Sequence, residues 1–188
     1  FLNVDFNSSS ATTNNLTSGG AKDVYIQKIS SAGDFIWAKQ IGGVANTFPK
    51  DLNIDFFGYL YLTGTAAGAS VDHDPAPGVV YNTAHFGGQD IYIDKFDLDG
   101  NFIWAKAFGS ASNEQALSSF VDGVGNFYST GFYTGTVDFN SGTGTDNLTS
   151  ENSEDAFFFK LKKSCIIDTT VSESPGNLIA NATGLAYQ

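Results

Sequence analysis

The acidic loop Asp72–Gly78, with the sequence DHDPAPG, holds the chain's most suggestive spacing of ligand-type side chains. Asp72 and Asp74 alternate, and alternating carboxylates can supply oxygens to calcium, which takes about six or more of them. The equivalent loops elsewhere in the chain read DFNS from Asp5 and DFNS from Asp138, so the second carboxylate becomes an amide. None of them is a complete calcium-hand loop. We therefore predict Asx-turns that cap a strand end, with calcium as the alternative.

Two further groups of residues could be mistaken for metal ligands. The stretch Asp97–Asn101 (DLDGN) resembles the start of a calcium loop but lacks the later ligands, and it falls where a hairpin turn is needed. His73 and His85 are the only histidines, and neither has a counterpart in the other repeat. A zinc or catalytic site requires a cluster of ligands. We therefore predict a turn at Asp97 and exposed surface histidines.

The chain has two tryptophans, Trp37 and Trp104, whose flat rings could stack on sugars. Both lie in the middle of apolar, strand-like runs, so we predict that they belong to the core. Phe132, Tyr133 and Phe139 lie near the predicted loops and are better candidates for exposed stacking. The sequence contains neither a Gly-x-Ser-x-Gly elbow nor a phosphate-binding loop. We predict no catalytic, cofactor-binding or metal-binding residue.

The tryptophans mark an internal repeat. Residues Phe35–Lys39 (FIWAK) recur unchanged as Phe102–Lys106, and Asp23–Gly64 aligns with Asp90–Gly131 without a gap. A repeat of this kind indicates an array of similar structural units. The predicted layout is a truncated repeat tail (1–22), two full repeats that each form one blade (23–89 and 90–154), the first strand of a further repeat (155–164) and a different segment (165–188).

Each repeat predicts four antiparallel strands. The first two are joined by a Gly-containing turn, and several strands are apolar on both faces, which indicates a sheet covered on both sides. After Gly64 and Gly131 we predict an extra exposed hairpin or long loop on one rim. The fold class is therefore all-β, with tandem four-stranded antiparallel blades of a β-propeller as a partial array. Closure of a propeller needs about four blades or more, so the chain is either a piece of a longer array or an open stack.

The order of these motifs resembles the SBBP family of β-propeller repeats. The motifs are Asp-x-Tyr-Ile-x-Lys, Gly-x-Phe-Ile-Trp-Ala-Lys, Gly-Asn-x-Tyr-x-Thr-Gly and Val-Asp-Phe, and the resemblance covers residues 1–163. It implies a large secreted protein of Bacteroidetes-like bacteria. Residues 165–188 resemble the start of an immunoglobulin-like module of a type IX secretion cargo, here a truncated β-sandwich-like segment. That second resemblance implies a later cysteine that pairs with Cys165.

Composition limits the possible partners. The formal net charge is −11, with 20 acidic and 9 basic residues, so the phosphate backbone of a nucleic acid would be repelled. No apolar stretch is long enough to span a membrane. We predict a non-enzymatic, secreted or cell-surface repeat scaffold whose rim loops bind a glycan, a surface or a protein. The alternative is part of a secreted polysaccharide-acting enzyme or lectin, with a site formed by loops of several blades.

Overall fold

The computed structural model describes residues 3–7, 12–68, 71–151, 153–164, 171–174, 177–180 and 186–187, with side chains described up to residue 163. Every regular element in these ranges is a β-strand, which confirms the all-β prediction. The strands are β1 (Asn3–Asp5), β2 (Asn15–Thr17), β3 (Val24–Ile29), β4 (Phe35–Ile41), β5 (Asn46–Ile54), β6 (Tyr59–Ala67), β7 (Gln89–Asp97), β8 (Phe102–Phe108), β9 (Gln115–Val121), β10 (Phe127–Tyr133), β11 (Thr136–Asp138), β12 (Asn147–Thr149), β13 (Asp155–Leu161), β14 (Lys163–Ser164), β15 (Val171–Ser174), β16 (Asn177–Ala180) and β17 (Ala186–Tyr187). In the described ranges no helix is long and apolar enough to cross a membrane.

The C-terminal segment can be compared with its prediction only in part. Strands β15 and β16 pair antiparallel, and β14 pairs with β17. Cys165 lies outside the described residues, and so do the side chains that would form a second core. The immunoglobulin-like module and the partner of Cys165 therefore stay predictions.

Three sheets lie face to face in a stack. The first is the pair β3-β4, the second has four antiparallel strands in the order β5-β6-β7-β8, and the third has the order β13-β10-β9. One core cluster joins the first and second sheets, and another joins the second and third. The middle sheet is thus covered on both faces, as its doubly apolar strands require.

The sheets are out of phase with the sequence repeats. Strands β5 and β6 come from repeat 23–89, whereas β8 and almost all of β7 come from repeat 90–154. The prediction that each repeat forms one sheet is corrected accordingly. The reason is that β6 pairs with β7 along its whole length, from Tyr59↔Asp97 to Ala67↔Gln89, while β4 and β5 lie in different sheets. Each repeat therefore ties two neighbouring sheets together.

Strand alternation divides the middle sheet between the two cores. Neighbouring residues of a strand face opposite sides, so Leu60 and Leu62 pack towards the first sheet and Tyr61 packs towards the third. On β7, Tyr92 faces the first sheet while Ile93 faces the third. The core between the second and third sheets is rich in aromatic rings, which include Phe108, Phe127, Tyr133, Phe157 and Phe159.

The FIWAK strands contain β-bulges, which explain their burial. In β8, Lys95 pairs with Trp104 and Phe96 pairs with Phe102, so Ile103 is the unpaired extra residue. Ile103 is 40% exposed, and the prediction that this strand is apolar and covered on both faces is wrong at that position. The bulge lets Phe102 pack with the first core and Trp104 with the second. Trp104 is half-buried there, so the predicted core role holds for part of its surface.

The outward face of the third sheet is apolar and exposed. Phe158 is 71% exposed and stacks on Tyr128, with the ring centroids 6.0 Å apart. Phe120 lies on the other side of Tyr128, at 6.4 Å between centroids. The ammonium of Lys160 lies 5.0 Å from the centroid of the Tyr128 ring.

The same pattern is buried one sheet earlier. The repeat equivalents of Tyr128, Phe158 and Lys160 are Tyr61, Ile93 and Lys95, and all three are buried between the second and third sheets. The Lys95 ammonium lies 5.0 Å from the centroid of the Tyr61 ring, as Lys160 does from that of Tyr128. The exposed face therefore has the composition and geometry of an inter-sheet interface.

Candidate binding groove

Each repeat ends in a short hairpin at the rim, which confirms the predicted extra element. The hairpins are β1-β2, the bridge between Asp72 and Asn82, and β11-β12. One aspartate holds each hairpin by accepting two backbone N–H groups through Oδ1. These donors are Asn7 (2.9 Å) and Asn14 (2.9 Å) for Asp5, Asp74 (3.1 Å) and Tyr81 (2.9 Å) for Asp72, and Asn140 (2.9 Å) and Asp146 (2.8 Å) for Asp138.

These contacts decide the role of the acidic loop. Asp72 closes the hairpin, and Oδ1 of Asp74 accepts the N–H of Ala76 at 2.9 Å, so both carboxylates form Asx-turns as predicted. The hydrogen bonds from Asp146 and Asn140 likewise hold the pKa of the Asp138 carboxyl below its ordinary value. In the described part of the chain, no three His, Cys, Asp or Glu side chains come together as a metal-binding group.

The predicted turn at Asp97 is also confirmed. Its Oδ1 accepts the N–H groups of Asp99 at 2.8 Å and of Asn101 at 2.9 Å, and Gly100 has a φ of 74°. That positive φ is accessible to glycine without the steric cost of a Cβ. Asp97 is thus a turn residue that joins β7 to β8.

A groove of about 360 Å³ lies between the second and third rim hairpins. The second hairpin contributes its Tyr81–Ala84 side and the third contributes Asn140–Gly142, while β8 with Lys106 forms the floor. Most of the lining side chains are polar. The groove therefore combines hydroxyl, amide and ammonium groups with two aromatic residues, Tyr81 and Phe108, which is a composition suited to a polar ligand.

Tyr81 is the exposed aromatic residue of this groove. Its ring is 41% exposed and packs on Phe102, with the centroids 4.7 Å apart. Its backbone is fixed on both sides, because its N–H donates to Asp72 and its carbonyl accepts the N–H of His73 at 2.9 Å. Sequence reasoning missed Tyr81, although it is the aromatic residue of the repeat segment that diverges most.

The residues proposed from sequence for exposed stacking mostly lie elsewhere. Tyr133 is buried and Phe139 packs against the core between the second and third sheets, so the prediction is wrong for both. The ring of Phe139 contacts Phe157 at 5.2 Å and Phe159 at 5.9 Å between centroids. Phe132 is exposed, as predicted, but it does not line the groove.

His73 is completely buried, so the prediction of an exposed histidine is wrong. Its Nδ1 lies 2.8 Å from Oδ1 of Asp94, and its Nε2 lies 3.0 Å from the hydroxyl of Thr83. Carboxylate, imidazole and hydroxyl in this order are also the parts of a nucleophilic triad. A general base must reach a proton on the substrate, however, and His73 exposes none of its surface. The contacts of His73 with Asp94 and Thr83 hold the second hairpin on β7 and fix the position of the groove residue Thr83.

The pKa shifts of the groups around His73 indicate that this contact is shielded from water. Burial raises the pKa of the Asp94 carboxyl, and the neighbouring His73 partly lowers it again. Burial and the charge of Asp94 also raise the pKa of the Tyr92 phenol well above its ordinary value. The Tyr92 ring lies 5.5 Å from the His73 ring, between centroids.

His85 makes the second histidine contact of the same segment. Its Nδ1 lies 2.6 Å from Oδ2 of Asp90, which also accepts the N–H of Phe86 at 2.9 Å. The His85 side chain is 24% exposed, so the predicted surface position is only partly right. Asp90 and Asp94 lie on the same face of β7, because they are four residues apart in a strand. Both histidines therefore attach the rim segment to that strand.

A second groove, of about 460 Å³, lies beside the first rim hairpin. Its lining is mainly apolar and aromatic, with Phe6, Tyr25 and Phe48 among its residues. The hairpin includes residues 8–11, which lie outside the described part of the chain. All residues that line the groove between the second and third hairpins are described, and this groove is the candidate site.

Comparison with known proteins identifies a β-propeller repeat in part of the chain. Residues 36–70 match SBBP, the beta-propeller repeat. The match covers most of β4, all of β5 and β6, and the beginning of the rim segment. An uncharacterized WD repeat-containing protein of Acanthamoeba polyphaga mimivirus is 28% identical over 155 residues, which cover 77% of this chain. The chain spans 11% of the length of that relative.

Proposed function

We propose that this chain is part of a non-enzymatic β-propeller scaffold, secreted or displayed on a cell surface, which binds a glycan in the groove between its rim hairpins. The observation that carries the proposal is the groove itself. Its lining includes the exposed Tyr81 together with Asn140, Ser141 and Lys106. Sugar rings offer apolar faces to an aromatic ring and hydroxyl groups to amides and hydroxyls, and Tyr supplies both kinds of contact.

The scaffold part of the proposal rests on the exposed faces of the stack. The outward face around Phe158 repeats the residues of a buried interface, and Tyr25, the equivalent of buried Tyr92, is 57% exposed at the other end. Each end of the stack therefore exposes one side of the kind of interface that is buried between the inner sheets. The two exposed faces are complementary to each other. We propose that a further sheet of the same repeat packs on each face, which would make the described sheets blades of a longer array.

The buried histidine contact gives no support to the enzymatic alternative, because its imidazole is closed to a substrate. Asp72 and Asp74 are turn residues whose Oδ1 atoms accept backbone N–H groups. Calcium and other cofactors have no assigned role in the proposal. A protein or surface partner at the same rim remains the second outcome of the binding experiment.

A glycan array with purified protein tests the proposal, followed by titration calorimetry on the strongest ligand. We expect Tyr81→Ala to weaken that ligand about tenfold, which corresponds to about 1.4 kcal/mol of lost stacking. Tyr25→Ala is the matched control, because it removes another exposed tyrosine that lines the second groove. Loss of binding in Tyr25→Ala but not in Tyr81→Ala would move the site to that groove, and an array without any signal would reject glycan binding.

A further inference from the structure

Lys106 lies in the groove floor without an acidic partner. Its Nζ donates a hydrogen bond to the carbonyl oxygen of Ser141 at 2.7 Å, and the side chain is half-buried. The ion pairs of the described residues involve Lys28, His73 and His85, and none involves Lys106. Burial lowers the pKa of Lys106, and no nearby carboxylate raises it again.

Lys28 forms an ion pair, but most lysines of the described residues do not, so the lack of a carboxylate partner is common among them. What distinguishes Lys106 is its half-buried position in the lining of the groove. A half-buried ammonium loses hydration, and a carbonyl hydrogen bond replaces that loss only in part. The position is therefore prepared for an anion, whose arrival would supply the missing countercharge.

The equivalent lysine of the other repeat provides an internal comparison. Lys39 occupies the same position in the first FIWAK strand. Burial raises the pKa of Asp97, but hydrogen bonds from Asn101 and Asp99 and the charge of Lys39 together lower it below its ordinary value. Among the described residues, Lys39 thus lies over the turn at Gly100 without a close ion pair, whereas Lys106 lines the groove.

We propose that the groove selects acidic glycans, with the Lys106 ammonium pairing with a carboxylate or sulfate group on the sugar while the Tyr81 ring stacks on the sugar face. This inference rests on the proposed glycan binding and names the class of glycan. The rest of the groove lining is uncharged, so Lys106 supplies the charge selection. The net charge of −11 opposes the approach of anions, so an acidic ligand in this groove would depend on the Lys106 ammonium as its countercharge.

Titration calorimetry at neutral pH and low salt with three probes tests the inference. The probes are an oligogalacturonate, its fully methyl-esterified form and a sulfated galactan oligosaccharide. We expect one of the acidic probes to bind about tenfold more tightly than the ester, and the stronger acidic probe identifies the anionic group. Lys106→Gln should reduce its affinity to that of the ester, whereas Lys106→Arg should retain most of the preference.

Lys39→Gln is the matched control, since it removes the same charge from the same motif. It should leave the preference for the acidic probe unchanged. Equal binding of acidic and neutral probes, or equal losses in Lys106→Gln and Lys39→Gln, would overturn the inference while leaving glycan binding intact. If no acidic or neutral probe binds and the array is also empty, the proposed function fails and this inference fails with it.

Discussion

The buried contact between His73 and Asp94 should be replaceable by an apolar pair, but neither residue should be replaceable alone. The third sheet shows why the fold accepts the exchange. The repeat equivalents of these residues are Phe139 and Phe159, and their rings contact each other with centroids 5.9 Å apart. Replacing a buried ionic pair with apolar residues of similar size is often neutral or stabilising, because both desolvation costs disappear together.

The expected free energies follow from what each single change leaves behind. His73→Leu leaves the Asp94 carboxyl buried without its imidazole, and Asp94→Val leaves the imidazole buried without its carboxyl. Each should lower the free energy of unfolding by about 3 kcal/mol. The double variant, whose side chains are close in total size to the original pair, should lie within about 1 kcal/mol of the native chain. The coupling energy is then about 5 kcal/mol, well above that of independent sites.

Urea denaturation followed by tryptophan fluorescence at neutral pH measures all four proteins of this cycle. A pH series adds an independent check on the single variant His73→Leu. Burial raises the pKa of Asp94, and removing His73 takes away the neighbour that lowers it. The folded form of that variant therefore holds a proton more tightly than the unfolded chain does, so its stability should decrease as the pH rises from 5 to 8. Additive losses in the double variant, or no loss in either single one, would refute the reasoning.

Two further predictions concern the faces of the stack. Burial lowers the pKa of Lys95 from 10.5 to about 8, so between these pH values the unfolded chain binds more protons than the folded one. The free energy of unfolding should therefore rise by about 2 kcal/mol between pH 7 and 9.5. Lys95→Met should abolish that gain in urea titrations and the exposed Lys160→Met should not, and an unchanged slope in Lys95→Met would contradict the buried position. Phe158→Ser should reduce the concentration-dependent self-association of the chain in light scattering, and a native chain that stays monomeric at every concentration would speak against an inter-sheet face.

The local parts of the fold could be predicted because their causes are local. An Asp followed by a glycine at a fixed distance specifies the turn at Asp97, and the same logic holds at Asp122, where Gly125 has a φ of 91°. Hydrogen bonds from Asn126 and its neighbours lower the pKa of the Asp122 carboxyl to about 2, despite some opposing burial. Turn chemistry and period-two alternation are therefore sufficient to place the strands.

The sequence repeat could not show which of its strands pair within the same sheet. A repeat shows where strands recur, but it does not show whether a strand pairs with the one before it or the one after it. The pairing of β6 with β7 crosses the rim segment, which begins after Gly68 and ends before Gln89. The hydrogen bonds between β6 and β7 join residues that are far apart in the sequence, and the rim segment contains no turn motif that would predict this pairing.

The burial of His73 did leave a signal in the sequence, because two positions depart from the repeat together. His73 stands where the other repeats have Phe6 and Phe139, and Asp94 stands where they have Gln27 and Phe159. In each repeat the two positions face each other. The side-chain amide of Gln27 donates to the carbonyl of Phe6 at 2.8 Å, and Phe139 contacts Phe159. Two departures that occur together between neighbouring repeats therefore indicate a spatial contact.

The offset between repeats and sheets also explains where a binding site can arise. Each rim hairpin packs on the first strand of the following repeat, as His73 does on Asp94 of β7. Two successive hairpins consequently flank the second strand of one repeat, and the groove above β8 is built in this way. The motif lysine of that strand lies at the groove floor, so its role depends on which neighbour meets it. In the first repeat, Lys39 lies over the turn at Gly100, near Asp97. In the second repeat, Lys106 donates to the backbone carbonyl of Ser141 and lies 6.0 Å from the centroid of the Trp104 ring. The architecture of the repeat thus supplies the position, and the change of neighbour is what would give Lys106 the binding role that we propose for it.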